Sequence, residues 1–324
     1  MDKLYSYLNQ RVNPKQLIIS SECLTYDSQL SLVRHITKTI LKINPYYAKI
    51  ILREYIKHIE NSSEEISDEL YELFCSSLIL NAVESPPDTP EIIKYYVNGL
   101  ASKEYLGKDY ESILVKETPK VITGSNTTGL RTWEAALYLS NFLNDGPEPP
   151  YDFRDSNVLE LGCGTGLTSL ALAKNYQHNY GSIRQIVMTD GSTSVFDNLY
   201  ETLKSNNLQN EANIRCQQLI WGDDLNIQED IDFLIGADIT FDSTLLETLC
   251  FTINDFFVNK NTKFAIIAAT VRSIETIKIW EEQLEKWFTS KWSIKSKIEK
   301  PESLTTNCWF RIGTQEIRVY EIHS

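Results

Sequence analysis

The sequence lacks the features that mark membrane, secreted and metal-binding proteins. No stretch approaches ~18 consecutive apolar residues, so we expect no membrane-spanning helix. The first residues, MDKLYSYLNQRVNPK, carry no apolar signal-peptide block, which favours a cytoplasmic protein. No Cys-x-x-Cys pair occurs and the four histidines are isolated, so the sequence predicts neither a metal site nor disulfides. We expect six reduced cysteines: Cys23, Cys75, Cys163, Cys216, Cys250 and Cys308.

Basic residues are also scarce. Lysine and arginine number 31 against 44 acidic residues, for a formal net charge of −13 and a pI near 4.9. Such a field repels phosphate backbones, which disfavours a nucleic-acid partner and favours cationic or lysine-bearing ones. The 324 residues, 42% of them hydrophobic, suffice for one large globular domain and a smaller one.

The N-terminal third has a helical pattern. Apolar residues at positions 30, 33, 36, 40 and 43 have the spacing of one helix face. Helix starts are predicted at Asn44 before a proline, at Ser62 with Glu65 in capping-box spacing, and at Thr89 before a proline. A helical stretch is also predicted over 91–100, so we expect an all-helical N-terminal domain over residues 1–115 for substrate recognition.

From residue 116 onwards the pattern predicts an α/β domain that extends to residue 324. Segments 110–123 look extended and 131–143 look helical. Beyond them, strands are predicted at 157–161, 184–190, 213–220, 232–238 and 263–270, separated by helices at 166–176, 192–206, 243–257 and 273–289. This alternation implies a parallel sheet with helices on both faces. Two final strands, near 292–299 and 308–322, should form an antiparallel hairpin at one edge.

The first predicted strand of that sheet leads into a glycine-rich turn, Gly162-Cys-Gly-Thr-Gly166, and then a helix. Glycines let the backbone approach a ligand closely, and a helix start offers free N–H groups. A dinucleotide-binding fingerprint would need glycine where Leu167 stands, which argues against NAD. Asp190 ends the next strand, where a carboxylate can accept both hydroxyls of a ribose. The pattern therefore indicates an adenosine-containing cofactor, with Cys163 as a small residue in a crowded turn or a reactive thiol.

These residues resemble a known family. The loop from Glu160 to Gly166, together with Asp190, resembles that of seven-β-strand, Rossmann-like methyltransferases, which bind S-adenosylmethionine. The segments TGLRTWEAALY (128–138), LIWG (219–222) and GADITFD (236–242) are similar to the family-16 branch, whose members mostly methylate protein lysines. Within it, the whole chain most resembles the enzymes that act on translation elongation factor 2, which implies that protein as the partner.

The resemblance also implies a set of functional residues. The implied cofactor-binding residues are Trp133, Glu160, Gly162, Cys163, Gly164, Asp190, Trp221 and Ala237. The branch has an Asp-x-x-Tyr signature at the end of the fourth strand, which Asp238 matches and Phe241 alters. Asp238 would accept a hydrogen bond from the incoming amine, either to position it or as a general base, and Phe241 would be an aromatic wall for it.

Other interpretations stay open from the residues alone. Trp133 could belong to the core, Trp221 could fill a sheet edge, and Asp238 could stabilise a helix start. The alternative functions are methylation of another cytosolic protein, of RNA or of a small molecule, and a non-catalytic interaction role. RNA is disfavoured by the acidic charge and by the absence of an Asn-Pro-Pro-Tyr-like segment after the fourth strand. A non-catalytic role is disfavoured by the intact glycine loop.

Overall fold

The computed structural model describes residues 1–97, 112–120, 127–304 and 310–324. Cys308 and the two ends of the predicted extended segment 110–123, namely 110–111 and 121–123, lie outside these ranges. The N-terminal region contains five helices: α1 (Asp2–Asn9), α2 (Tyr26–His35), α3 (Pro45–Glu60), α4 (Asp68–Cys75) and α5 (Ser77–Leu80). Shorter helical turns are Pro14–Gln16, Ser21–Cys23, Ile36–Ile40, Thr193–Val195 and Pro301–Ser303. No described helix is long and apolar enough to cross a membrane.

The N-terminal helices enclose a core of their own. Its buried members, such as Leu8, Leu32 and Leu52, all come from residues 4–79 except for Tyr96. The cap predicted at Asn44 is confirmed, since its side chain accepts a hydrogen bond from the N–H of Tyr47 at 2.8 Å. The start predicted at Ser62 is wrong: α4 begins five residues later, with Ser67 as its cap.

The prediction of a helix over 91–100 is wrong, because Glu91–Tyr96 forms strand β1. Residues 98–100 lie outside the described ranges. Strand β1 pairs antiparallel with β2 (Ser112–Glu117). Ile93 and Tyr95 belong to the core on one face of the seven-stranded sheet, whereas Tyr96 joins the helical core. Burial on both sides of a strand removes the alternation that would distinguish it from a helix. The predicted domain boundary at 115/116 stays a prediction and falls inside β2.

A seven-stranded sheet forms the centre of the α/β region, as predicted. Its strands are β3 (Asn157–Leu161), β4 (Gln185–Asp190), β5 (Ile214–Gln218), β6 (Phe233–Ala237), β7 (Phe264–Thr270), β8 (Trp292–Ile298) and β9 (Ile317–His323). Their order is β5-β4-β3-β6-β7-β9-β8, with β3 to β7 parallel. β9 is antiparallel to both β7 and β8, which confirms the predicted terminal hairpin.

Helices cover both faces of this sheet. They are α6 (Glu134–Phe142), α7 (Leu167–Ala171, continuing through turns Leu172–Tyr176 and Gln177–Asn179), α8 (Phe196–Ser205), α9 (Leu246–Asn259) and α10 (Ile274–Trp287). The β1–β2 pair packs beside α8, where Asn206 and Thr202 accept hydrogen bonds from two N–H groups of β2. The chain leaves β3 towards β4 on one side and returns to β6 on the other. This reversal opens a crevice at the carboxyl ends of the strands, where ligands bind in open α/β sheets.

Candidate active site

The glycine turn after β3 adopts backbone conformations that only glycine takes easily. Gly162, Gly164 and Gly166 all have positive φ, at 60°, 48° and 80°. A Cβ at Gly162 would lie 2.7 Å from the side chain of Ile239, and one at Gly164 would lie 3.2 Å from the backbone of Gly129. The three glycines therefore keep a close-packed turn whose backbone borders an open cavity.

Asp190 lies at the end of β4, beside this turn. Its carboxylate accepts hydrogen bonds from the N–H of Gly164 at 3.0 Å and from that of Ser192 at 2.9 Å. Burial raises the pKa of Asp190, while these N–H donors partly lower it. Each oxygen has two lone pairs, so both can accept a further hydrogen bond. The carboxylate is thus held in place with the capacity to bind two hydroxyls.

Glu160, on β3, is buried and lies next to the first turn of α7. One of its carboxylate oxygens accepts hydrogen bonds from both the N–H and the hydroxyl of Ser169, at 3.1 and 2.5 Å. Burial raises its pKa from 4.5 to about 7, although the Ser169 donors act in the opposite direction. Glu160 borders the cavity, but its hydrogen bonds hold the helix start.

These residues surround a cavity of about 480 Å³ at the carboxyl ends of β3, β4 and β6. Its lining includes every residue of the predicted cofactor set: Trp133, Glu160, Gly162, Cys163, Gly164, Asp190, Trp221 and Ala237. Trp221 also packs against the core on the α9 side of the sheet. Burial raises the pKa of Cys163 well above its ordinary value, so the thiol is protonated near neutral pH and fits the turn as a small residue.

Trp133 immediately precedes α6 and has two arginines close to its ring. The guanidinium carbons of Arg131 and Arg272 are each 4.8 Å from its ring centroid. Its indole N–H donates to the carbonyl oxygen of Thr128 at 3.0 Å. Two cation–π contacts and one hydrogen bond fix the indole plane at the cavity wall.

Asp238 follows β6 and has an unusual backbone conformation, with φ at 55°. Its buried carboxylate accepts hydrogen bonds from the N–H of Ala135 at 3.0 Å and from the N–H and hydroxyl of Thr270 at 2.9 and 3.0 Å. Arg272 donates to both oxygens, at 2.8 and 3.2 Å. A carboxylate has roughly four lone-pair sites, so these five hydrogen bonds use all of them. Asp238 therefore joins the start of α6 to the end of β7.

Arg272 contacts a second acid as well. Its guanidinium donates to the carboxylate of Glu134 at 2.7 Å. Burial lowers the pKa of Arg272, but the carboxylates of Asp238 and Glu134 outweigh this effect and raise it. The guanidinium is therefore a fixed positive charge at the end of β7.

A second cavity of about 380 Å³ adjoins the first. The two share Thr128, Trp133, Asp238 and Phe241 in their linings. Phe241 is 53% exposed, so its ring faces solvent as well as both cavities. The second cavity is completed by side chains that follow β7 and begin α10: Thr270, Arg272, Ser273, Thr276 and Ile277, with Thr240.

Arg131 and Arg272 were absent from the predicted site. The sequence could have indicated Arg272. It follows β7 as Asp238 follows β6, and the carboxyl ends of neighbouring parallel strands meet at one edge of the sheet. Arg131 precedes Trp133 in the TGLRTW segment and lines the first cavity. Within the described ranges, no group of three or more histidine, cysteine and acidic side chains is arranged to hold a metal ion.

A chain of hydrogen bonds joins the β1–β2 pair to the glycine turn. Tyr95 donates to the buried carboxylate of Glu117 at 2.8 Å, and Glu117 accepts from the N–H of Thr132. The hydroxyl of Thr132 is 2.7 Å from that of Thr165 in the turn. The segment before α6 is thus positioned from both sides, by the hairpin and by the turn.

The sequence of the chain is similar to those of known proteins. A family described as lysine methyltransferase matches residues 120–290. The chain is 31% identical to the protein-lysine N-methyltransferase EFM3 of Saccharomyces cerevisiae over 88% of its length and 87% of that protein. It is 32% identical to EFM3 of Chaetomium thermophilum, over 71% and 69% of the two chains. Identity to the human protein-lysine N-methyltransferase EEF2KMT is 28%, over 78% and 74%.

The extent and level of these matches decide the family, and the match to EFM3 includes most of the N-terminal region. The cavity with its glycine turn and Asp190 lies inside the matched range. The chain belongs to the lysine methyltransferase family and is an S-adenosylmethionine-dependent protein-lysine N-methyltransferase.

Proposed function

We propose that the chain methylates a lysine of translation elongation factor 2 in the cytosol. The observation that carries the methylation of a lysine is the pair of adjoining cavities, one suited to the cofactor and the other open to a side chain from another protein. They meet at Trp133, Asp238 and Phe241. A lysine that enters the second cavity would reach the first at this point. The exposed acidic side chains of the helical region support a basic protein as the substrate.

The residues of the first cavity fit S-adenosylmethionine. The free lone pairs of Asp190 match the two ribose hydroxyls, and the glycine turn leaves the space that side chains would fill. Arg131 has a buried Nε atom with no hydrogen-bond partner in the structure, and it lines the same cavity. We assign it to the carboxylate of the methionine moiety, since guanidinium and carboxylate groups pair in a bidentate manner.

The chemistry requires alignment more than a covalent nucleophile. S-adenosylmethionine supplies a methyl group on a sulfonium, which an amine displaces in line. The lysine must be neutral to attack, and with an ordinary pKa of ~10.4 its deprotonation at pH 7.4 costs about 4 kcal/mol. The walls of the second cavity, with the aromatic rings of Trp133 and Phe241, orient the amine and reduce its hydration.

The predicted hydrogen bond from the incoming amine to Asp238 stays a prediction, as does the aromatic wall of Phe241. The five hydrogen bonds that Asp238 already accepts compete with the amine for its lone pairs. We therefore propose that Asp238 acts on the amine through the groups it holds, namely the start of α6 and Arg272.

The helical region is the proposed docking surface for the protein substrate. Exposed acidic side chains lie on and just before α4, among them Glu65, Asp68, Glu69 and Glu72. Tyr71, on the same helix, is 59% exposed. A stable protein interface buries roughly 800 Å² per partner, which exceeds what a lysine side chain offers. An acidic surface with exposed apolar groups suits a basic face of elongation factor 2.

The proposal is tested with purified elongation factor 2 that has not been methylated and with tritiated S-adenosylmethionine. We expect one labelled lysine, identified by mass spectrometry, and a lower rate of labelling with Asp190→Ala when the cofactor concentration is below saturation. Labelling of a different protein from a cell lysate, or of RNA or a small molecule instead, would replace elongation factor 2 as the substrate.

A charge-reversal variant tests the docking surface. We expect Glu69→Lys with Glu72→Lys to raise the KM for elongation factor 2 by on the order of 10-fold and to leave cofactor affinity unchanged. The matched control carries the same charge change at Asp145 and Glu148, on the exposed connector after α6. Equal KM values for the two variants would rule out docking at α4.

A further inference from the structure

The second cavity contains an arginine that the reaction does not obviously require. Arg272 lines it, and its side chain is about one-third exposed, at 35%. A positive charge beside an incoming ammonium is unfavourable, so Arg272 should have another role in the cavity. Its contacts with Asp238, Glu134 and the ring of Trp133 indicate what that role is.

The charge balance around the cavity points to neutralisation of Asp238. Arg272 and Asp238 are in the lining, and Glu134 pairs with Arg272 from the start of α6. Arg131 lies over the ring of Trp133 and lines the first cavity rather than the second. Asp242, also in the first cavity, accepts hydrogen bonds from Thr244. Without Arg272, the buried carboxylate of Asp238 would face the amine unpaired.

An unpaired carboxylate next to the acceptor amine would oppose catalysis. It would attract the ammonium form of the lysine and hold on to its proton, although the neutral form reacts. Arg272 cancels this charge with a bidentate pair and, in the same geometry, contacts the indole of Trp133, which lines both cavities. We propose that Arg272 is a positioning residue for methyl transfer, which neutralises Asp238 and braces Trp133 so that the acceptor lysine is delivered as a neutral amine.

This inference rests on the proposed lysine methylation, and its test is the pH dependence of single-turnover methylation. The wild-type rate rises with pH as the bound amine loses its proton. Arg272→Met leaves the Asp238 charge in place. We therefore expect the rising limb of the pH–rate profile to move to higher pH by about 1 unit or more. At a fixed pH on that limb, this corresponds to a rate about 10-fold lower per unit.

Two further variants test the direction in which the rising limb moves. Asp238→Asn keeps the shape but leaves the positive charge of Arg272 alone, so its limb should move to lower pH while turnover persists. The combination Arg272→Met with Asp238→Asn removes both charges and should return the limb to its wild-type position. Loss of all turnover in Asp238→Asn would instead support direct contact of Asp238 with the amine, and would overturn the proposal.

Arg131→Met is the matched control, because Arg131 also stacks on Trp133 at 4.8 Å but lines only the first cavity of the two. It should weaken S-adenosylmethionine binding in calorimetry without moving the pH limb, whereas Arg272→Met should leave cofactor affinity within a few-fold. A slower Arg272→Met enzyme with an unmoved limb would show a purely structural role and refute the inference.

A readout without substrate covers the case in which Arg272→Met folds poorly. The melting temperature of the cofactor-free protein should fall in Arg272→Met and partly recover when Asp238→Asn is added, because the buried unpaired carboxylate is then removed. No recovery would contradict neutralisation. If the wild-type enzyme methylates no protein lysine at all, the proposed function fails, whereas an active wild type with unmoved limbs fails this inference alone.

Discussion

Replacement of Glu160 by glutamine tests the energetic cost of a buried carboxylate beside the glycine turn. Glu160 is only 2% exposed, and the Ser169 hydrogen bonds do not offset the loss of hydration. Its pKa is raised from 4.5 to about 7. The folded protein therefore binds the Glu160 proton more tightly than the unfolded chain does, and the free energy of unfolding should decrease as pH rises from about 4.5 to about 7.

The size of the effect follows from the shift. At ~1.36 kcal/mol per pKa unit, the ionised carboxylate costs on the order of 3 kcal/mol above pH 7. About 2 kcal/mol of this change falls between pH 5.5 and 8, a range that avoids precipitation near the pI of 4.9. Glutamine cannot ionise, so Glu160→Gln should be more stable than wild type at pH 8, with the advantage shrinking towards pH 5.5.

The assay is urea unfolding of the cofactor-free protein at several pH values, with the variant and the wild type compared at each. The difference between them cancels other titrating groups, such as the buried His35. Ser169→Ala is the control: it removes a donor to the carboxylate, so the pH at which stability levels off should rise. A stability difference that does not change with pH would refute the argument for a raised pKa at Glu160.

Three more outcomes are expected. Asp190→Ala should weaken binding of S-adenosylmethionine by ~1.5–3 kcal/mol, the range for hydrogen bonds to a charged group; an unchanged calorimetric Kd would remove Asp190 from the site. Gly166→Ala would place a Cβ 2.4 Å from Met188 and 2.5 Å from Leu199, whereas Gly313→Ala, at nearly the same φ, meets no atom within 4 Å. Urea unfolding should therefore show an extra loss of about 1–3 kcal/mol for Gly166→Ala, and equal losses would contradict the crowding. A chain beginning at residue 86 keeps the β1–β2 pair and should fold, bind cofactor and lose the protein substrate, while one beginning at residue 116 loses the buried Ile113 and Val115 and should aggregate; cofactor binding by the shorter chain would show that the hairpin is dispensable.

The sequence by itself determined the sheet and the glycine turn. Each depends on local patterns: apolar strands alternating with amphipathic helices, three glycines within five residues, and Asp190 at a strand end. Helices between consecutive strands are the crossovers that parallel strands need, so the alternation predicts a parallel arrangement of β3 to β7. Their carboxyl ends then lie at the same edge of the sheet. For this reason the whole predicted cofactor set lies around one cavity.

Only the tertiary structure decided the conformation of β1 and the partners of Asp238. Segment 91–96 is short and lies between two cores, so its apolar residues have no single period, and pairing with β2 selects the strand. The hydrogen-bond partners of Asp238 are 103 residues away at Ala135, 32 at Thr270 and 34 at Arg272. The predicted strand order brings Arg272 to the same edge of the sheet as Asp238, but no local pattern encodes the hydrogen bonds themselves. The end of β7 beside β6 brings Arg272 to the carboxylate of Asp238, where the sequence had predicted the amine of a substrate lysine.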